Sequence, residues 1–198
     1  MVQYKTLGNG VRVKVYACDA NLKVFGATAL SFIDNIGADT YRALAKAQGL
    51  GDIDRESWVP LQPIFDLFNQ VVEMDTGSTQ SFVAMGLRIA EQSAFPPELQ
   101  NDRTLIGILE GWMSHYAANH QGAPLPPVTT HRISDQHYEL HLLPEHLYPY
   151  DLVYGMAYGF CRLLLPAGSH FSVTYKANHS PYEDDAQEKT IIVSVRWT

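Results

Sequence analysis

Residues 150–165 read YDLVYGMAYGFCRLLL, a stretch with almost no polar surface around a helical circumference. Pro144 and Pro149 bracket its entry and Pro166 follows its end, so residues that cannot continue a helix set its limits. A helix of this kind must be covered on most sides, and the rest of the chain has to supply that cover. Gly155 and Gly159 lie about one turn apart and remove two side chains, so another backbone or a flat ligand can approach there. Tyr150, Tyr154, Tyr158 and Arg162 recur every four residues and form a polar-tipped stripe beside the glycines. This segment is predicted to be the central helix, with any ligand pocket touching it.

The segments before it are mostly helical in pattern. Leu22, Phe25, Gly26, Ala29, Ile33 and Ile36 keep helical spacing, with Gly37 placed as a C-cap. Further amphipathic runs are predicted over 39–48, 59–75 and 78–92, and a long helix over 103–120 carries Leu105, Leu109, Trp112 and Tyr116 on one side. The proline-rich run at 122–127 marks a change of regime. Residues 128–133 and 137–143 alternate around a Ser-Asp-Gln turn, which signals a hairpin. After the central helix, 170–176 and 189–197 alternate again, with Phe171, Val173 and Tyr175 and then Ile191, Val193, Val195 and Trp197 inward. Near the start, 11–17 reads as a short strand after a Gly-Asn-Gly turn, so residues 1–20 form an N-terminal arm or strand.

Helices followed by strand–strand–helix–strand–strand imply an α+β fold: a helical N-terminal half, then a four-stranded antiparallel sheet, in one domain spanning 1–198. With 14 Lys+Arg against 21 Asp+Glu and no basic cluster, nucleic acid and anionic membrane surfaces are poor partners. The start is unlike a secretory leader, no apolar run reaches the length of a membrane span, and the two cysteines, Cys18 and Cys161, are far apart. A cytoplasmic setting is the expectation.

The segment Tyr148-Pro-Tyr-Asp-Leu-Val-Tyr-Gly155-Met-Ala-Tyr-Gly159 carries a family resemblance. Together with residues 52–60, Gly77 and Gly86, and the order of elements over 20–197, it resembles a superfamily with three branches. These are the haem nitric-oxide-binding (H-NOX) domains, the 4-vinyl-reductase-type ligand-binding domains and the core subunits of TRAPP vesicle-tethering complexes, and the chain is similar to bacterial members of that group. The resemblance implies the H-NOX/TRAPP-like fold, while its branches include gas sensors, ligand sensors and tethering subunits. Haem-binding members hold the propionates with a Tyr-x-Ser-x-Arg clamp, and the corresponding stretch here, 142–146, has neither Ser nor Arg. The axial-ligand position falls near Met113, with His115 close in sequence but about half a turn away. The cysteine-rich metal-binding tail of the vinyl-reductase type is missing as well. No cofactor is therefore expected, with haem the one alternative.

His115 is the haem-ligand candidate, since a neutral imidazole facing an apolar pocket is a common donor. Its helical neighbours Gly111 and Asn119 lie off the Trp112/Tyr116 face, which also suits a core-edge or surface histidine. His120 sits at a helix end, where a cation favours the dipole. His137, Glu139 and His141 share one strand face at a spacing that can converge on a metal, yet Tyr138, Leu140 and Leu142 assign that face to solvent. Cys161 and Cys18 read as inert, and the acidic residues of 183–188 as a solvated turn. No Gly-x-Ser-x-Gly elbow, phosphate loop or dinucleotide fingerprint is present, so an enzyme is not expected.

Three functions stay open. The first is a non-enzymatic sensor or regulatory domain binding a hydrophobic small molecule between the long helix and the sheet, through Trp112, Tyr116, Tyr154, Gly155, Tyr158 and Gly159. The second is an assembly subunit, TRAPP-like, working as a homodimer or with a partner protein. The third is a haem-based gas sensor.

Overall fold

The computed structural model describes residues 3–8, 10, 12–34, 38–74, 78–92, 95, 97–100, 103–177, 179, 181 and 189–198. The proposed cap at Gly37, the break at Gly77 and the acidic run 183–188 lie outside the described residues.

An N-terminal hairpin comes first, β1 (Gln3–Thr6) paired antiparallel with β2 (Arg12–Val15). It leads to β3 (Lys23–Phe25), α1 (Gly26–Ile33), α2 (Ala38–Ala47), β4 (Trp58–Pro60), α3 (Gln62–Met74) and α4 (Ser78–Gln92). The short α5 (Pro97–Gln100), α6 (Leu105–Glu110), α7 (Trp112–Ala118) and β5 (His120–Gln121) follow. The second half is β6 (Val128–Ser134), β7 (His137–Leu142), α8 (Tyr150–Leu164), β8 (Phe171–Tyr175) and β9 (Ile191–Trp197). The last four strands form one antiparallel sheet, as the alternating patterns predict, and their order is β6-β7-β9-β8.

Beyond the N-terminal arm, the first half departs from its helical expectation. A three-stranded sheet, β4-β3-β5, is made from two- and three-residue strands too short to show alternation. Leu22 and Phe25 flank and end a strand, and the helix begins only at Gly26. There the backbone passes so close to the 54–57 turn that any Cβ would overlap the Asp54 carbonyl, while Gly26 N donates to Ser57 O at 2.8 Å. The long helix is interrupted at Gly111, so His120 lies in β5, opposite Val24.

Helix α8 is the middle layer. Val153, Ala157, Phe160 and Cys161 share a buried cluster with Tyr138, Leu140 and Leu142 of β7 and Ile191, Val193 and Val195 of β9. Its other side crosses α4. A Cβ on Gly155 would overlap the Val83 carbonyl oxygen, one on Gly159 would sit 2.7 Å from the Ala90 Cβ, and one on Gly86 2.7 Å from Met156 N. The glycines thus bring α8 against α4, whereas the sequence left the approaching surface undefined. Leu152 joins a second cluster with Phe65, Phe68, Phe82 and Met85, tied by edge-on pairs such as Phe32–Phe68 and Phe68–Phe82, both at 5.3 Å.

On the outer sheet face, Glu139 departs from the solvent assignment: it is only 4% exposed. Lys176 Nζ and His141 Nε2, each at 3.2 Å, and His137 Nε2 at 3.7 Å gather round it. Among the described residues no group of three His, Cys, Asp or Glu side chains is arranged to hold a metal. No helix among them is long and apolar enough to cross a membrane.

Backbone carbonyls cannot yield the way flexible side chains do. Gly155→Ala is therefore expected to cost about 3 kcal/mol, and Gly159→Leu to prevent folding. Gly8→Ala, with nothing within 4 Å of the new Cβ, is the control. Urea unfolding followed by circular dichroism checks this, and a Gly155→Ala protein as stable as the control would refute the crossing.

Candidate functional site

The two clusters do not close perfectly where they meet. Between α1, α7, α8 and the 146–148 loop lies an apolar-walled cavity of about 30 Å³, roughly room for two water molecules. Phe32, Tyr116, Tyr148 and Leu152 come from one cluster, Trp112 and Val153 from the other. No strand of the four-stranded sheet lines it, so the cavity lies on the α7/α1 side of α8 and not between the long helix and the sheet.

Three histidines reach this cavity: His115 from α7, His120 from β5 and His146 from the loop. His120 Nδ1 lies 2.7 Å from the Tyr116 carbonyl oxygen, which can only accept, so this nitrogen carries the proton. Nε2 is then the acceptor for the Tyr148 hydroxyl at 2.6 Å. Tyr148 is further held by stacking on Phe32, centroids 5.6 Å apart, and by the edge of Phe65 at 5.4 Å. Thr28 Oγ1 donates to Asn119 Oδ1 at 2.8 Å, and Asn119 Nδ2 donates to the His115 carbonyl at 2.9 Å. The His115 ring packs between Phe95 and Phe160, at 5.1 and 5.5 Å.

The remaining polar atoms are the unusual ones. The Tyr116 hydroxyl and both ring nitrogens of His146 are buried with no hydrogen-bond partner among the described residues. Each such atom costs about 1–3 kcal/mol if nothing satisfies it. The backbone of His146 is fixed by its own N–H to Leu143 O at 2.9 Å and by Lys14, whose Nζ donates to the carbonyls of Pro144, at 3.0 Å, and His146.

Burial keeps all three histidines neutral. It pushes His115 down to about 4, with His120 adding repulsion, and His120 to about 4, partly offset by its bond to the Tyr116 carbonyl. His146 falls to about 3, with Lys14 and His120 contributing. The same burial raises the Tyr116 and Tyr148 hydroxyls. His120 is thus a neutral hydrogen-bond partner in the core, not a dipole-capping cation, and His115 is 2% exposed, not at the surface.

Of the residues singled out in the sequence, Trp112, His115 and Tyr116 line the cavity. Gly155 and Gly159 lie at the α4 crossing. Tyr154 and Tyr158 point along the seam with β8, against Tyr175 at 5.4 Å and Phe171 at 5.0 Å, and Tyr158 is 36% exposed. Burial raises the Cys161 thiol to about 12, in keeping with inert packing. Sequence reasoning gave His120 only a helix-end role and assigned no site role to His146 or Tyr148. The available signal was the spacing of His146 and Tyr148, two residues apart in the turn and bend just before the central helix, with Leu147 between them.

No protein-family model matches the chain, and no curated protein sequence matches it significantly. Solved structures do. A point variant of the Tt H-NOX protein is similar over 88% of this chain and 95% of its own, at 16% identity and a TM-score of 0.58. This is an H-NOX-like fold. An Fe(II) unliganded H-NOX variant from K. algicida is similar over 88% of this chain and 96% of its own, at 10% identity and a TM-score of 0.55. The H-NOX from Shewanella woodyi in its Fe(II)CO ligation state is similar over 86% and 93%, at 16% identity and a TM-score of 0.51. The H-NOX part of the resemblance seen in the sequence is thereby shown at the level of fold.

The depressed histidines make stability depend on pH with a definite sign. Each binds a proton in the unfolded chain below about 6.5 but not in the fold until about 4 or 3. The penalty for leaving them unprotonated is therefore absent above pH 6.5, and stability falls as pH drops, by on the order of 2 kcal/mol per histidine at pH 5. Urea midpoints at pH 7 and pH 5 measure the loss, and His146→Leu is expected to reduce it by about a third. Equal slopes in wild type and His146→Leu would show that His146 is not buried neutral.

Proposed function

We propose that this protein is a non-enzymatic small-molecule sensor, and that its ligand site is the cavity at the junction of the two clusters. One observation carries this: the Tyr116 hydroxyl and both nitrogens of His146 are buried without a partner among the described residues, on two side chains that line the same apolar-walled space. Neutral histidine offers one donor and one acceptor, and the phenol offers both. The occupant they suit is uncharged and able to both give and accept hydrogen bonds, with an apolar remainder against Phe32, Leu152 and Met156. A ligand larger than about two waters needs Tyr148 to swing out of its bond with His120. The chemistry favours binding over catalysis, because histidines lowered to about 4 or 3 are weak bases at neutral pH and the raised tyrosines are weak acids. As a sensor the domain works through a second copy or a partner protein.

Haem, the ligand of the fold's gas-sensing branch, fits these residues poorly. The cavity is about 30 Å³ where ligand pockets usually offer some 300–1,000 Å³. Tyr148 and Tyr116 fill the junction, His115 is clasped between two phenylalanines, and Leu142 is fully buried where the clamp would fall. Protein incubated with haemin is expected to show no Soret band, and a band lost in His115→Ala would reinstate the gas-sensor reading.

Native mass spectrometry of protein purified from its own host tests the main reading. A mass increment on wild type that is absent from His146→Leu is expected. His146→Leu should also raise the stability of the empty protein at pH 7 by about 1–2 kcal/mol, by removing two unsatisfied atoms. Identical apo masses together with a destabilised variant would sink the proposal. The assembly reading is favoured by Tyr158 and Leu163, exposed on the outer side of α8 by 36% and 50%. Light scattering decides it, since a strict monomer at micromolar concentration excludes a homodimer.

A further inference from the structure

A second cavity, of about 310 Å³, opens between the N-terminal hairpin and the beginning of α8. Its size is that of a small-molecule site. Arg12 and Lys14 are two apart on β2 and so project from the same face of the strand. Both border this cleft and both lie against aromatic rings. The Arg12 guanidinium carbon is 4.5 Å from the Tyr4 centroid, and Lys14 Nζ is 5.5 Å from Tyr150 and 5.9 Å from Tyr16. Phe82, Val72 and Pro149 supply apolar wall. Among the described lining residues the carboxylate is Asp151, which accepts the Tyr175 hydroxyl at 2.7 Å. Glu145 acts on Lys14 from the far side, lining a neighbouring groove. Two cations on one strand, each set against tyrosine rings, match a flat body with a negative end.

Lys14 also connects this cleft to the inner cavity. Its ammonium holds the carbonyls of Pro144 and His146, and Tyr148 borders both spaces. Burial lowers Lys14 to about 8 against the pull of Glu145, so its charge is poorly compensated as it stands and an anion would relieve it.

We propose that this outer cleft binds a small organic anion with an aromatic or apolar body, held by Arg12 and Lys14, and that binding draws Lys14 from the Pro144 and His146 carbonyls. The loop that carries His146 and Tyr148 over the inner cavity is then released. The cleft is an effector site governing access to the core, and it stands whatever the inner cavity holds.

Isothermal titration calorimetry with cinnamate and with cinnamyl alcohol, which shares the ring but lacks the charge, tests the site on the full chain. Cinnamate is expected to bind about tenfold more tightly than the alcohol, and about tenfold more weakly to Arg12→Gln and to Lys14→Met than to wild type. Arg12 is exposed, so Arg12→Gln should fold even if Lys14→Met does not. Equal affinity for acid and alcohol, or undiminished cinnamate binding by Arg12→Gln, overturns the site. Amide exchange at 145–148 reads the coupling: faster exchange with cinnamate supports the release of the loop, and unchanged exchange overturns it.

Discussion

The crossing of α4 and α8 at Gly86, Gly155 and Gly159 is the constraint on which the other parts depend. Three missing side chains let two backbones meet, so α8 is covered by α4 on one side and by the four-stranded sheet on the other. That double cover is what a helix with so little polar surface requires. It also divides the interior into two apolar clusters, one against the sheet and one among α1, α3 and α4. Neither cluster could shift far without driving a carbonyl into the facing backbone.

The cavity follows from that division. Two cores packed from different directions meet along α7 and α8, and large rings at fixed angles fill much of the shared boundary. Tyr148 closes most of the gap because its ring stacks on Phe32 and its hydroxyl finds His120. Tyr116 and His146, which line the remainder, are left with buried polar atoms that have no partner among the described residues. A packed core generally avoids such groups, since an apolar residue of similar size would be cheaper, and rules broken locally tend to mark function. The same loop touches the outer cleft, so a short segment just before α8 carries both candidate sites.

The pattern of the second half was legible because strands β6 to β9 alternate cleanly over five to seven residues, and a period of two decides which face is buried. Tyr138, Leu140 and Leu142 are fully buried as their alternation required. The small sheet β4-β3-β5 escaped detection for the converse reason: two or three residues carry no period, and their pairing is decided by partners far along the chain. Gly111 gave no sign in the heptad-like spacing of Leu105, Leu109, Trp112 and Tyr116 that it would divide the helix. Of the candidate site residues, those on α7 were placed in the cavity, whereas the tyrosine stripe of α8 turned towards β8.

What the sequence by itself determined is the central apolar helix with its glycines, the two hairpins that flank it, the α+β class and the H-NOX-like order of elements, all of which rest on local periodicity and on residues with restricted or permissive backbones. Only the tertiary structure decided which neighbour the glycines admit, that His115, His120 and His146 are buried and neutral, and that residues from four separate segments enclose one small cavity. Helical and strand periods report which face is apolar, but not which apolar face meets which. Protonation and unsatisfied hydrogen bonds depend on that meeting, because they are set by the solvent that packing removes.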